Sequence, residues 1–179
     1  NPTHGTIALD AQISELTIGK GAGAVATNTV LGKSALNSNT TGFQNVAVGL
    51  SALRKNTTGG FNTAIGYDAL YNNETGTGNT SIGTSTLVSN TSGGDNIAIG
   101  GAALYSNTTG GANIAIGINT LTRNNGDHNT AVGYHALYQS ISGYRNSAFG
   151  SRAMFYSTGS DNNAFGEQSL SSNSGNGNN

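Results

Sequence analysis

A pentapeptide that returns at almost constant intervals constrains this chain more than any other feature. Asn62-Thr63-Ala64-Ile65-Gly66 has counterparts beginning at Asn28, Asn45, Asn79, Asn96, Asn113, Asn129, Asn146 and Asn162. The leading asparagines are 17, 17, 17, 17, 17, 16, 17 and 16 residues apart. A chain with such a period is assembled from copies of one small unit, and each unit buries its apolar side on its neighbours. The unit reads Asn-[Thr/Ile]-Ala-[Ile/Val/Phe]-Gly-x-x-Ala-Leu-x-x-Asn-Thr-Thr-Gly-x-x, with the leading Asn as position 1.

Seventeen residues accommodate two short strands and two turns. Asn-Thr-Ala-Ile-Gly alternates as a strand does, and Gly supplies a turn where positive φ or a close backbone approach is needed. The Ala-Leu pair is expected to begin a second short strand, and Asn-Thr-Thr-Gly to close the coil. Both 16-residue units lose a residue from that polar turn, at Asn124-Asn125-Gly126 and Ser157-Thr158-Gly159, while keeping their apolar positions. The turn therefore reads as a surface loop. Recurrent Gly, Asn and Thr argue against helix. The fold class is all-β: a parallel β-roll or β-solenoid of about nine coils, over residues 28–179.

Residues 1–27 form a separate lead-in segment. Glu15-Leu16-Thr17-Ile18-Gly19 and the following Lys20-Gly21-Ala22-Gly23-Ala24 read as a shorter, tighter first coil. Residues 1–14, which include the only proline, Pro2, read as a strand or link leading into it. Asn1 is not Met, no signal-peptide pattern follows, and Asn179 falls where another repeat would begin. The chain is expected to be a piece of something longer.

Stacking brings equivalent side chains together. Asn28, Asn45, Asn62, Asn79, Asn96, Asn113, Asn129, Asn146 and Asn162 are expected to form an amide ladder from coil to coil. The competing reading makes them simple turn formers. Two apolar columns are assigned to the core. One is Leu31, Val48, Ile65, Ile82, Ile99, Ile116, Val132, Phe149 and Phe165; the other is Leu36, Leu53, Leu70, Leu87, Leu104, Leu121, Leu137, Met154 and Leu170. Two such side chains are few for ordering seventeen residues. Self-association, with a trimer suiting a fibre, is therefore expected.

Two surface columns invite function. After the core Leu stand Tyr71, Val88, Tyr105, Thr122, Tyr138 and Phe155, with Tyr67 and Tyr134 nearby. The stripe of Tyr71, Tyr105, Tyr138 and Phe155 either packs against other copies or stacks sugars. Asn39, Asn56, Asn73, Asn90 and Asn107 fall in N-x-S/T sequons at the repeat spacing, and Asn79 is a sixth. They are candidate glycosylation sites, or merely the repeat's turn.

Other chemistry finds little support. With seven Lys and Arg, eight Asp and Glu and a net charge of −1, the chain offers nucleic acid no basic stripe. No window nears the ~20 apolar residues of a spanning helix, so no membrane insertion is expected in this segment. There is no cysteine. His4, His128 and His135 lack ligand partners at helical or hairpin spacing, and Asp68, Asp95, Asp127 and Asp161 lie in separate coils without the recurrent Asp of calcium-binding rolls. Gly32-Lys33-Ser34 imitates the end of a phosphate-binding loop, but Thr27 stands where its first glycine belongs. No cofactor, no metal and no catalytic residue is assigned, and the chain is not expected to be an enzyme.

The pentapeptides resemble the head repeats of trimeric autotransporter adhesins, whose motif runs roughly N-S-V-A-I-G; Asn146-Ser147-Ala148-Phe149-Gly150 is a close variant. The fuller unit Ala-Ile-Gly-Tyr-x-Ala-Leu-Tyr-x-Asn-Thr-Thr-Gly, approached by residues 64–76 and 98–110, looks still more like repeats of phage and viral tail fibres and bacterial surface fibres. Leu16-Thr17-Ile18-Gly19-Lys20-Gly21-Ala22-Gly23 is similar to such fibres too. The resemblance, covering about residues 15–179, implies a left-handed parallel β-roll with three chains about one axis, serving outside the cell or on a virion as shaft or adhesive head. The unit here is longer than that of the adhesin heads, so its extra turn residues are expected to bulge outward. The leading expectation is a structural segment of an extracellular fibre that mediates attachment. One alternative is a module that binds a cell-surface glycan or receptor through the Tyr stripe. A remote third is an ice-binding solenoid, against which the adjacent, variable turn threonines argue.

Overall fold

A computed structural model of the chain describes residues 11–13 and 16–178. Most of the lead-in segment before Leu16, with Pro2, His4 and Glu15, lies outside the described residues. The described chain is a β-solenoid with one 11-stranded sheet in sequential order. β1 (Ala11–Ile13) and β2 (Leu16–Gly19) precede nine short strands, one per coil: β3 (Thr29–Leu31), β4 (Val46–Val48), β5 (Thr63–Ile65), β6 (Thr80–Ile82), β7 (Ile97–Ile99), β8 (Ile114–Ile116), β9 (Thr130–Val132), β10 (Ser147–Phe149) and β11 (Asn163–Phe165). From β3 onward every pairing is parallel and in register, position upon position: Ala64 faces Ala47 and Ser81, and Ile99 faces Ile116.

The start of the chain departs from this plan. β2 pairs antiparallel with both β1 and β3, with Ile18 opposite Leu31. The expected short first coil is therefore a reversal. Its following turn lies on the first full coil, where Ala22 N donates to Leu36 O at 3.1 Å. The segment thus satisfies backbone groups that the first coil would otherwise leave open at its edge.

The strand faces are also the reverse of the expected ones. Positions 2 and 4 point outward, so the column from Leu31 to Phe165 is not core. Leu31 is 41 % exposed, Ile65 38 % and Phe165 71 %; Ile99, Ile116 and Phe149 are similarly open, and Val48, Ile82 and Val132 only half-buried. What faces inward is position 3: Val30, Ala47, Ala64, Ser81, Ala98, Ala115, Ala131, Ala148 and Ala164. The cause is the two-residue period of a strand. The leading Asn is buried, so positions 1 and 3 share the inner face and position 4 must lie outside.

Against the small inner face packs the second expected column. Leu36, Leu53, Leu70, Leu87, Leu104, Leu121, Leu137 and Met154 are fully buried, and Leu170 partly so. Ala at positions 3 and 8 leaves room for this one large side chain per coil. Where position 3 becomes Ser81, position 8 becomes Thr86, and the two hydroxyls meet at 2.6 Å. The polar pair satisfies itself inside the rod.

The Ala-Leu pair does not begin a second strand. Positions 7 and 9 hold positive φ in all nine coils, for example Ser51 (60°) and Leu53 (51°). An L-residue held there costs roughly 1–2 kcal/mol, which burial of the Leu side chain, about 1.5–3 kcal/mol, offsets. The amides stay paired between coils, with Leu53 N donating to Ala69 O at 3.0 Å and Ser51 N to Lys33 O at 2.9 Å. Backbone satisfaction is kept without β geometry.

The shortened turn at Asn125 shows how a deletion is absorbed. In a 17-residue unit one carbonyl of the polar turn accepts from three successive amides of the preceding coil. Glu74 O does so from Thr57, Thr58 and Gly59 at 3.0, 3.1 and 3.3 Å. The coil beginning at Asn113 lacks that residue. The side-chain Oδ1 of Asn125 takes its place, accepting from the amides of Thr108, Thr109 and Gly110 at 2.9, 3.0 and 3.4 Å. Asn125→Ala should cost about 1–2 kcal/mol in urea unfolding, limited because water reaches these amides. Asn125→Asp, which keeps the acceptor, should not lose stability.

Candidate functional site

Two columns of asparagine hold the coils to one another. The leading Asn is buried in every coil, and its Oδ1 accepts the backbone N–H of the next leading Asn: Asn45 N to Asn28 at 2.9 Å, Asn62 N to Asn45 at 3.0 Å, and so on to Asn162 N on Asn146 at 3.1 Å. Its Nδ2 donates to the turn glycine carbonyl, as Asn96 does to Gly110 at 2.9 Å. From Asn79 onward Nδ2 also reaches the preceding Oδ1. The column gains a rung that the repeat alignment omits, Asn178, whose N–H donates to Asn162 Oδ1 at 3.0 Å.

The sequon asparagines form the second column. Asn39, Asn56, Asn73, Asn90 and Asn107 are buried, and Asn79 belongs to the first column. Asn56 Nδ2 donates to Asn39 Oδ1 at 3.0 Å and to Gly59 O at 3.0 Å, and the pattern repeats up to Asn107. Of the two readings of these sites, glycosylation is incompatible with this arrangement, because the nitrogen that would carry a sugar is sealed inside the rod and already bonded. The column breaks at the first deletion. Asn124 turns to Gly126 O at 3.0 Å, and Asn107 Oδ1 is left buried without a partner. Further on, Ser140 and Ser157 take the Asn place, and their buried hydroxyls have no partner either.

Chemistry available to other molecules lies on two surfaces. The first is the outer face of the sheet, positions 2 and 4. It presents Ile65, Ile97, Ile99, Ile116 and Phe149 with Thr, Val, Leu, Ser147 and Asn163 among them, and no charged residue in any of the nine coils. Phe149 and Phe165 stack at its far end, with centroids 5.1 Å apart and planes at 1°.

The second is the aromatic stripe, which is not continuous. Tyr71 lies beneath Arg54 and Lys55, whose cationic groups stand 5.6 and 5.4 Å from its ring centre. Tyr105, 43 % exposed, stacks on no other ring among the described residues. Only Tyr138 and Phe155 stack on each other, at 5.1 Å and 17°. They are joined by His135, 4.7 Å from Tyr138, and by Tyr134, 4.0 Å from His135. Tyr156 meets Phe155 edge-on at 4.5 Å. Burial, and secondarily the nearby Arg152 guanidinium, lower the His135 pKa below the ordinary histidine value. His135 is half-buried and stacks on Tyr138, three residues on, across the left-handed segment.

Other charged groups stand apart. Arg145 donates from Nε and Nη2 to the two carboxylate oxygens of exposed Asp161, at 2.6 and 3.0 Å, and thereby holds that carboxyl below the usual range. Among the described residues no group of three His, Asp or Glu side chains is placed to share a metal ion, and no helix is long and apolar enough to cross a membrane. No family model, curated protein or solved structure matches the chain.

Proposed function

We propose that this chain is a structural rod segment of an extracellular or virion fibre, built from three copies packed side by side through the outer faces of their sheets. The observation that carries this reading is the uncharged face of positions 2 and 4, whose position-4 column is apolar in every coil, open along about 40 Å of rod (eight steps of ~4.8 Å). Monomers rarely leave so long an apolar surface in water. A second copy is the partner it suits best, because a face that repeats every coil is matched in spacing by another of its kind. The number three, the location and the role in attachment rest on the resemblance of the repeats to fibre and adhesin heads. Uniform columns make a mechanical spacer; they do not converge unlike groups on one reacting atom, so the role is structural and not catalytic.

Sedimentation equilibrium tests the packing. The chain should sediment as a trimer, and Ile99→Lys with Ile116→Lys should reduce it to an 18.0 kDa monomer with its coil spectrum intact. Tyr105→Ser should leave the assembly whole. A wild-type monomer throughout the micromolar range, or trimers that persist in the double-lysine variant, refutes the proposal.

A further inference from the structure

The aromatic pile in the last coils ends abruptly. Position 10 carries Tyr138 and Phe155 in successive coils, and then Ser171. An open cavity of about 390 Å³ lies at this place, bounded by Phe155 and Tyr156 on one side and by Gln168, Ser171 and Ser172 on the next coil. It lies where one more ring would continue the stack. Arg152 stands on its wall, with no ion pair or hydrogen bond to its guanidinium among the described residues, and no carboxylate lines the space. Phe155 and the edge-on Tyr156 form an apolar corner; amide and hydroxyl groups face it.

We infer that this cavity is a saccharide subsite that takes a pyranose bearing a carboxylate, of the uronic-acid type, with the sugar ring in the place of the missing aromatic rung. The C–H face of a pyranose packs on an aromatic face as another ring does. The coil spacing of ~4.8 Å leaves that room below Phe155. Arg152 pairs with the carboxylate through two parallel N–H donors, while Gln168, Ser171 and Ser172 donate to or accept from ring hydroxyls. A neutral sugar lacks the group that Arg152 needs. The site depends on the coil stack alone and does not require the copies to associate through their sheets.

Saturation-transfer NMR on the intact chain, with a glucuronate-terminated oligosaccharide and its neutral glucose counterpart as probes, tests the site. The acidic probe should receive saturation on its terminal ring and the neutral one far less. Arg152→Gln should weaken binding about tenfold or more, the usual scale for a lost charge-assisted pair. Ser171→Phe completes the aromatic column and should abolish binding while leaving melting temperature and sedimentation unchanged or improved. Equal binding of acidic and neutral probes, no saturation at millimolar probe, or undiminished binding in Ser171→Phe would overturn the inference. Sedimentation of each variant separates this outcome from a failure of the trimer, since the two surfaces are distinct.

Discussion

Asn96→Ala is expected to lower stability by about 3–9 kcal/mol, although it removes only an uncharged side chain. Asn96 is buried in mid-rod. Its Oδ1 accepts from Asn113 N and Nδ2 at 3.0 and 3.1 Å, and its Nδ2 donates to Asn79 Oδ1 and Gly110 O at 3.1 and 2.9 Å. Four hydrogen bonds, each contributing about 0.5–1.5 kcal/mol, are lost, and the Asn113 N–H is left buried without an acceptor at a further cost of about 1–3 kcal/mol. Gly110 O and Asn79 Oδ1 keep other donors, Asn107 Nδ2 and Asn96 N, so they add little. In a stack where each coil touches only its neighbours, weakening one junction also uncouples the two sides. Urea unfolding should therefore show a lower midpoint and a broader transition. Ser106→Ala, on the exposed surface of the same coil, should stay within about 0.5 kcal/mol.

Gly100→Ala is expected to be at least as damaging, whereas its neighbour Gly101→Ala is harmless. Gly100 sits at φ 118°, and an added Cβ would lie 2.6 Å from Gly117 O and 2.7 Å from Gly117 C in the next coil. Neither atom can yield without widening the spacing between coils. The backbone conformation itself excludes an L side chain. At Gly101 an added Cβ meets nothing within 4 Å and φ is unremarkable, so the smaller unfolded-state entropy should stabilise by about 0.4–1 kcal/mol. Thermal melts of the pair should move in opposite directions. A comparable loss in both would mean that the coils are not as closely stacked as the Gly100–Gly117 approach requires.

The period, the strand that runs from each leading Asn toward its Gly and the buried Leu column were legible because composition and spacing repeat without interruption, whereas the second strand expected at Ala-Leu does not form. The facing of the strand was misread by overlooking parity. Asn at position 1 and the apolar residue at position 4 lie on opposite sides of a strand, so they could not both be inside. The signal was present in position 3, where Ala dominates and Ser81 is matched by Thr86, while position 2 drifts among Thr, Val, Ile, Ser and Asn. The left-handed segment left no such trace: Ser34, Asp68, His135, Arg152 and the buried leucines all occupy positive φ, and no glycine announces it. The sequons stayed open between two readings because an exposed Asn of a turn and a bonded, buried Asn look alike until the Nδ2 partners are known. The reversal at β2 was equally hidden, since Leu16-Thr17-Ile18-Gly19 alternates identically whichever way it runs. Of the aromatic site, Tyr138 and Phe155 were in view. The cavity below them arises from a small residue, Ser171, in a place where the eye seeks a large one.

Small-angle X-ray scattering of the chain in solution tests the central proposal most directly, because it reports mass and length together. Lateral packing of three rods predicts a mass near 54 kDa (3 × 18.0 kDa) with a long axis still about 48 Å, the height of one eleven-stranded stack. A mass of one chain, or a larger mass accompanied by a multiplied length, would contradict it: the first leaves the apolar sheet face bare, and the second joins the rods by their ends.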